Sequence, residues 1–426
     1  MLPVGPIGRG DSPYASTSSF AGEPLLVALE GLRDAGLLSK TEMTAARRAV
    51  PRRLVATDFV RARAAKEPAL LAAFESFRLG RGFESASYRA FVHRASPWLP
   101  GWQAFMNDTH GYHAFLQFQF DEQWRALRVT CRQVGVRLMG DLPIFVALDS
   151  ADVQEQPRRF RLDRRGRPTV VTGVPPDCFS VDGQRWGHPH YRWSVHRREG
   201  FAWWVLRIAV SLERFDALRV DHFVGFHHAY EIAASSRTAR RGTWRRQPGM
   251  ELLRAARKAV GQLPLVAEDL GAVTAEVVAL RRAFGLPGMQ VLQHAFGEDD
   301  SPTLPHRHDR STVVYTGTHD NDTTVGWARS LDAPSMRRFV ASAGKGTRTD
   351  PAGALTRLAY GSAATLAIIP MQDCLRLGRT GRMNTPGTAT GNWRWRLDDR
   401  WQGHGRRVAR ELRQLAVRAD RLSLAR

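Results

Sequence analysis

The stretch Ala217-Leu218-Arg219-Val220-Asp221 decides how this chain is read. A short apolar run ends on a carboxylate, and Arg219 stands two positions before it. Side chains two apart on a strand share a face, so the Arg219 guanidinium is expected to hold Asp221 ionised and aimed. The pattern recurs along the chain. Val136-Arg137-Leu138-Met139-Gly140 ends at Asp141, and Leu263-Pro264-Leu265-Val266-Ala267 ends at Glu268. Thr312-Val313-Val314-Tyr315-Thr316 leads through Gly317-Thr318-His319 to Asp320. Helical stretches lie between these runs at 196–214, 248–260 and 275–284, with further apolar runs at 289–292 and 367–370. Strand–helix alternation implies a parallel sheet. Closed into a barrel, such a sheet sends all its strand C-termini to one face, which would converge the four acids on one small volume. No G-x-G-x-x-G follows a strand and no Walker A motif is present. The expected fold class is therefore α/β, a (β/α) barrel.

Working outward, residues 15–130 read as a mainly helical insertion. Leu25, Leu26, Ala28, Leu29 and Leu32 fall on one face, and Phe115, Phe118, Trp124, Leu127 and Val134 on another. The 426 residues are 43% hydrophobic and 24% charged, which fits an ordinary globular chain and a single barrel domain over 1–426. No apolar run is long enough to span a bilayer, and no basic, then apolar leader opens the chain. Cys131, Cys178 and Cys374 lie far apart without metal-ligand or redox spacing, so a cytoplasmic location is expected. The charge is unusual. Lys+Arg 62 against Asp+Glu 41 leaves +21, yet lysine occurs only at 40, 66, 258 and 345. The arginines are scattered, with Arg158-Arg159, Arg164-Arg165, Arg240-Arg241 and Arg245-Arg246 in different segments. This reads as a solvated, arginine-biased surface, with no nucleic-acid partner and no membrane partner.

Several carboxylates in one restricted pocket separate in pKa, a division of labour that suits glycosidic bond cleavage. Asp221, with its arginine, reads as the nucleophile. Glu268, which follows Leu265, Val266 and Ala267 without a matching cation, reads as the protonated acid. His319 beside Asp320 is placed to contact sugar hydroxyls. The plainer reading of any strand-end Asp is a helix cap or turn residue, and of His222 a packed histidine. A two-metal hydrolase would want clustered histidine ligands. His227-His228 and His306/His308 lack that spacing, so no metal and no cofactor are expected. Residues 182–193 read as a Gly/Pro-punctuated loop carrying Trp186, Tyr191 and Trp193. Flat rings stack on pyranose faces, although Trp193 reads as a core plug.

Seven motifs in order carry a resemblance: Gly140-Asp-Leu-Pro-Ile-Phe-Val146, Gly173-Val-Pro-Pro-Asp-Cys-Phe179, Gly183-Gln-Arg-Trp-Gly187, Arg219-Val-Asp-His-Phe223, Ala267-Glu-Asp-Leu-Gly271, Thr316-Gly-Thr-His-Asp-Asn-Asp322 and Arg382-Met-Asn-Thr-Pro-Gly-Thr388. Together with Gly10-Asp-Ser-Pro-Tyr-Ala-Ser16, they resemble the bacterial 4-α-glucanotransferases (amylomaltases, glycoside hydrolase family 77). The resemblance implies a (β/α)8 TIM barrel with mainly helical insertions and a retaining double displacement. Asp221 would attack the anomeric carbon, Glu268 would serve as acid and then base, and Asp320 would bond sugar hydroxyls in the transition state. Ser12, Tyr14, Asp141, Gln184, Trp186, Arg219, His319 and Asn384 would contact the glucan. Donor and acceptor would be maltooligosaccharides, starch or glycogen, handled by a monomer. Residues 150–195 and 225–247 would be cleft loops. A retaining α-glucan hydrolase on the same barrel, or an inactive sugar- or nucleic-acid-binding protein, is the alternative.

The resemblance also implies that the family's first βα unit is absent, so that the chain opens in its second strand near Leu2. Val224, Ala229, Ala233-Ala234 and Gln154-Glu155-Gln156 depart from the family pattern at the cleft.

Overall fold

The computed structural model describes residues 1–426 except 51–55, 177–179, 272, 398–400 and 423–426. Cys178 and the end of the Gly173 motif lie outside the described residues. The chain divides into two compact units, residues 1–54 with 58–265, and residues 55–57 with 266–426. Ten described strands are numbered in chain order: β1 Met139–Leu142, β2 Val170–Val174, β3 Gln184–Pro189, β4 Ala217–Val220, β5 His228–Ala233, β6 Thr243–Arg246, β7 Leu265–Ala267, β8 Gly288–Val291, β9 Thr312–Tyr315 and β10 Leu366–Ile368.

The first unit begins with a helical layer. The sequence Ser39-Lys-Thr-Glu42 starts the helix Lys40–Arg48 with a reciprocal cap: Ser39 Oγ accepts the Glu42 N–H at 3.2 Å, and the Glu42 carboxylate accepts the Ser39 N–H at 2.8 Å. The long helices Phe59–Leu79 and Tyr112–Gln133 meet through aromatic side chains. Phe77 lies 5.0 Å from Phe115 and 5.1 Å from Phe83, and Phe77, Phe115 and Phe118 are buried. Fully burying such a ring contributes about 1.5–3 kcal/mol, so this cluster anchors the layer.

Behind it, β1 and β4 pair in parallel, with Asp141 opposite Arg219 and Leu142 opposite Val220. Leu142, Leu218 and Val220 are buried, as are Trp204 and Ile208 of the helix Ala202–Arg214. Gly140 is required here, because a Cβ would lie 2.4 Å from the Phe215 ring. A second, antiparallel sheet in the same unit has the order β3-β2-β5-β6. In the second unit β8, β9 and β10 form a parallel sheet with β9 central. Its core gathers Leu292, Phe296, Val314, Phe339 and Leu355, with Phe296 and Phe339 rings 4.9 Å apart. Among the described residues no helix is long and apolar enough to cross a membrane.

Four local expectations need correction. Asp141 sits inside β1 rather than after it, because the strand starts only at Met139 and Val136 remains exposed. The helix expected over 196–214 stops at Arg198 and restarts at Ala202, since Gly200 and Phe201 both take left-handed backbone angles (φ +59° and +60°). The stretches read as loops in 150–195 and 225–247 carry the four antiparallel strands. No strand opens the chain near Leu2: Pro3 and Pro6 lack N–H donors. The segment is instead held by single bonds, Glu23 N–H to the Val4 carbonyl at 2.8 Å and Thr17 N–H to the Pro6 carbonyl at 3.1 Å.

Candidate active site

Most of the expected site residues fall into two internally linked groups, one in each unit. In the first unit, the β1–β4 register sets Asp141 beside Arg219, and the two-residue period of β4 puts Asp221 on the same face. One guanidinium nitrogen, Arg219 Nη1, donates to both Asp141 oxygens, at 2.9 and 2.7 Å, and to Asp221 Oδ1 at 3.0 Å. Arg219 is buried, and its two partners differ. The Asp141 side chain is 6% exposed while that of Asp221 is 28% exposed. Asp221 therefore keeps a face open, and its N–H is fixed on the Leu142 carbonyl at 3.0 Å. Tyr14 Oη donates to Asp141 Oδ2 at 2.8 Å. Ser12 shapes that approach by accepting the Tyr14 N–H at 3.2 Å ahead of Pro13.

Gln184 and Trp186 alternate on β3, so they share a face. The Trp186 indole N–H donates to Gln184 Oε1 at 3.2 Å. The Trp186 ring meets the His222 ring edge-on at 4.9 Å, and Phe145 lies 6.2 Å from Trp186 and 6.3 Å from His222. His222 takes a left-handed backbone (φ 48°, ψ 51°) immediately after Asp221, which turns the chain sharply at the nucleophile candidate. Loss of solvation pushes its imidazole down to about 4, and His228 adds to that, so the ring is neutral at pH 7. Trp193 packs among Tyr191, His196, Phe201 and Trp204 and belongs to that aromatic core.

In the second unit, Glu268 follows β7, is buried, and accepts the Leu270 N–H at 3.1 Å. Its neighbour Asp269 points elsewhere, accepting the Met289 N–H at 2.8 Å and pairing with Arg281 at 3.0 Å. Burial raises the Asp269 carboxyl against the pull of those partners. Asp320 sits beyond β9 on a tight turn: the Asp320 N–H donates to Thr318 Oγ1 at 3.2 Å, and Asn321 Oδ1 accepts from both the N–H and the hydroxyl of Thr318 at 2.9 Å. Asn384 Nδ2 donates to Asp320 Oδ1 at 2.5 Å, and His319 Nε2 lies 3.3 Å from Asp320 Oδ2. Thus Asp141, Arg219, Asp221, Tyr14 and Ser12 are linked in one cluster, Gln184 and Trp186 adjoin through His222, and His319, Asp320 and Asn384 form another.

Sequence reasoning left several neighbours out of the site. Phe145 faces Trp186 and His222, the Trp393 ring lies tilted 5.6 Å from His319, and Arg382 bonds the backbone of both Asp320 and Asn384. Arg382 and Phe145 sat within quoted motifs, but nothing in their spacing marked them. Among the described residues no cluster of His, Cys, Asp and Glu is arranged to hold a metal ion.

A paired, cation-held carboxylate at the end of one strand and a buried glutamate at the end of another are the groups a retaining glycosyl transfer needs. The family model for 4-alpha-glucanotransferase matches residues 1–110 and 104–401. The chain belongs to the 4-alpha-glucanotransferase family. It is 42% identical to the 4-alpha-glucanotransferase of Thermus thermophilus over 99% of this chain and 91% of that one. It is 39% identical to the Synechocystis 4-alpha-glucanotransferase over 95% and 88% of the two chains. The amylomaltase of Streptococcus agalactiae in complex with acarbose is similar over 99% of this chain and 91% of that chain, with TM-score 0.91 and 29% identity. Within this 4-alpha-glucanotransferase family frame, two of the departures noted in the sequence are packing positions: Val224 and Ala229 are each 1% exposed.

Proposed function

We propose that this chain is a retaining 4-α-glucanotransferase that moves a segment of one α-1,4-glucan to the 4-hydroxyl of another through a glycosyl ester on Asp221. The observation that carries this reading is the Arg219 contact to Asp141 and Asp221 on neighbouring parallel strands. It keeps Asp221 anionic, fixes its direction and leaves one face exposed for attack. In the first step Asp221 bonds the anomeric carbon while the Glu268 carboxyl gives its proton to the departing 4-oxygen. In the second, the Glu268 carboxylate takes the proton of the acceptor 4-hydroxyl, whose oxygen displaces Asp221. Asp320, aimed by Asn384, bonds ring hydroxyls as the centre gains oxocarbenium character, and His319 assists it. Ser12, Tyr14, Asp141, Gln184 and Trp186 line the glucan path, with Trp186 as the stacking platform.

The parallel pairings β1–β4 and β8–β9–β10 support a (β/α)8 barrel over 1–426 as the scaffold. On this reading the antiparallel strands of 150–195 and 225–247 shape the cleft, and the enzyme is a cytoplasmic monomer acting on maltooligosaccharides, starch or glycogen.

Incubation with maltotriose tests the proposal. Glucose with a ladder of longer oligosaccharides is expected. Glucose and maltose without longer products would mean hydrolysis, and unchanged substrate would remove the catalytic reading.

A further inference from the structure

We infer that Arg382 is a positioning residue that sets Asp320 and Asn384 against each other; the inference rests on the transferase reading above. Its guanidinium bridges two loops of the second unit. Nη2 donates to the Asp320 carbonyl at 2.8 Å and Nε donates to the Asn384 carbonyl at 2.7 Å. The side chains of those same two residues meet at 2.5 Å, Asn384 Nδ2 to Asp320 Oδ1. Without Arg382, the described backbone link between the loops is the single bond from Asn384 N–H to the His319 carbonyl, 3.0 Å. Arg379 Nε also reaches Asp322 Oδ2 at 2.9 Å, farther along the same turn, but Arg382 is the group that holds the Asp320 and Asn384 carbonyls together: one charge-assisted bond crosses the loops and the other fixes Asn384 in the same rigid plane.

The loop carrying Arg382 is itself braced. Gln372 Nε2 donates to the Gly381 carbonyl at 3.2 Å, Trp393 N–H to the Met383 carbonyl at 2.8 Å, and Thr385 N–H to Asn392 Oδ1 at 2.9 Å. Trp393 adopts φ +63°, a strained angle for a tryptophan, and its ring lies against His319. Arg382 thus ties a fixed loop to the Asp320 backbone and, through Asn384, to the Asp320 carboxylate, whose side chain is 38% exposed. Lysine at 382 would keep the charge and lose the planar fork that holds the two carbonyls at fixed angles to one another.

Arg382→Lys and Arg382→Ala, assayed for maltotriose disproportionation beside the unaltered chain, test this. Misplacing a reacting group by an ångström costs about 100-fold in rate, so kcat is expected to fall between about 10- and 100-fold while KM stays within about threefold. Arg382 is half-buried, so added guanidinium ion reaches the space left in Arg382→Ala and restores part of kcat, whereas sodium chloride at equal ionic strength does not. In an Asp320→Asn background the lysine change adds less than about threefold, because both changes act through one group. Unchanged kcat in Arg382→Lys, additive losses in the double variant, or no guanidinium-specific rescue of a folded Arg382→Ala would overturn the inference. Should Arg382→Ala not fold, the lysine variant and the double variant decide alone. Absence of transfer by the unaltered chain would instead sink the transferase reading.

Discussion

Arg219 Nη1 serves two carboxylates, and the two are not equivalent: Asp141 is almost enclosed while Asp221 is partly open. Removing the guanidinium by Arg219→Met leaves Asp141 buried without its cation, a change that costs about 3–5 kcal/mol in buried pairs. A lowered melting temperature together with lost turnover is expected; a variant melting at the parent temperature would contradict the ion-triad account. Asp221→Asn is milder for the fold, since shape and most contacts persist. Turnover should fall by several orders of magnitude while maltooligosaccharide binding, followed by calorimetry, stays measurable. Half the parental rate would show Asp221 to be misassigned. Of this cluster, the Arg219–Asp221 link was legible in the sequence because two residues on a strand define a face. The Asp141–Arg219 link was not, since a register joining positions far apart in the chain has no local signal. Tyr14 entered only through resemblance to a family motif.

Among the elements, the antiparallel sheet was the least legible. β3 contains Gly187 at φ +84°, and the β2–β3 register shifts between Val171 and Gly173. Such an irregularity interrupts the period-2 pattern, and glycine and proline around it imitate a loop. The parallel strands were easier, because apolar runs such as Val313-Val314 and Leu265-Val266 are buried. The same sheet yields a prediction. A Cβ on Gly173 would fall 2.0 Å from the Gln184 carbonyl oxygen on β3 and 2.6 Å from Ile232. Gly173→Ala must therefore push β3 away, carrying Gln184 and Trp186 with it. Overpacking of this kind costs about 1–3 kcal/mol, and KM for maltotriose should rise more than kcat falls. Unchanged KM with a lowered melting temperature would separate β3 from substrate binding.

For the whole molecule, pH and charge make opposite demands. His190 and His196, 2% and 0% exposed, are each pushed down to about 4 by burial. Their folded values lie below the unfolded 6.5, so the unfolded chain binds more protons between those limits. Stability is therefore full above about pH 6.5 and is lost as pH falls toward 4, by up to about 1.4 kcal/mol per pH unit for each histidine. Calorimetric melts at pH 7 and pH 5 should show a clear drop; a flat or rising melting temperature would refute the assignment. The +21 charge, by contrast, should matter little for a neutral substrate, so turnover on maltooligosaccharides should barely change between low and physiological salt. The central claim, transfer through an ester on Asp221, is tested most directly by trapping that ester. Glu268→Gln incubated with an α-maltosyl fluoride loses fluoride without needing an acid but cannot activate an acceptor, so the glycosyl-enzyme should accumulate. Peptide mass spectrometry is predicted to find one maltosyl group on the peptide bearing Asp221; a label on another carboxylate, or fluoride release by a folded enzyme that stays unlabelled, would contradict the account.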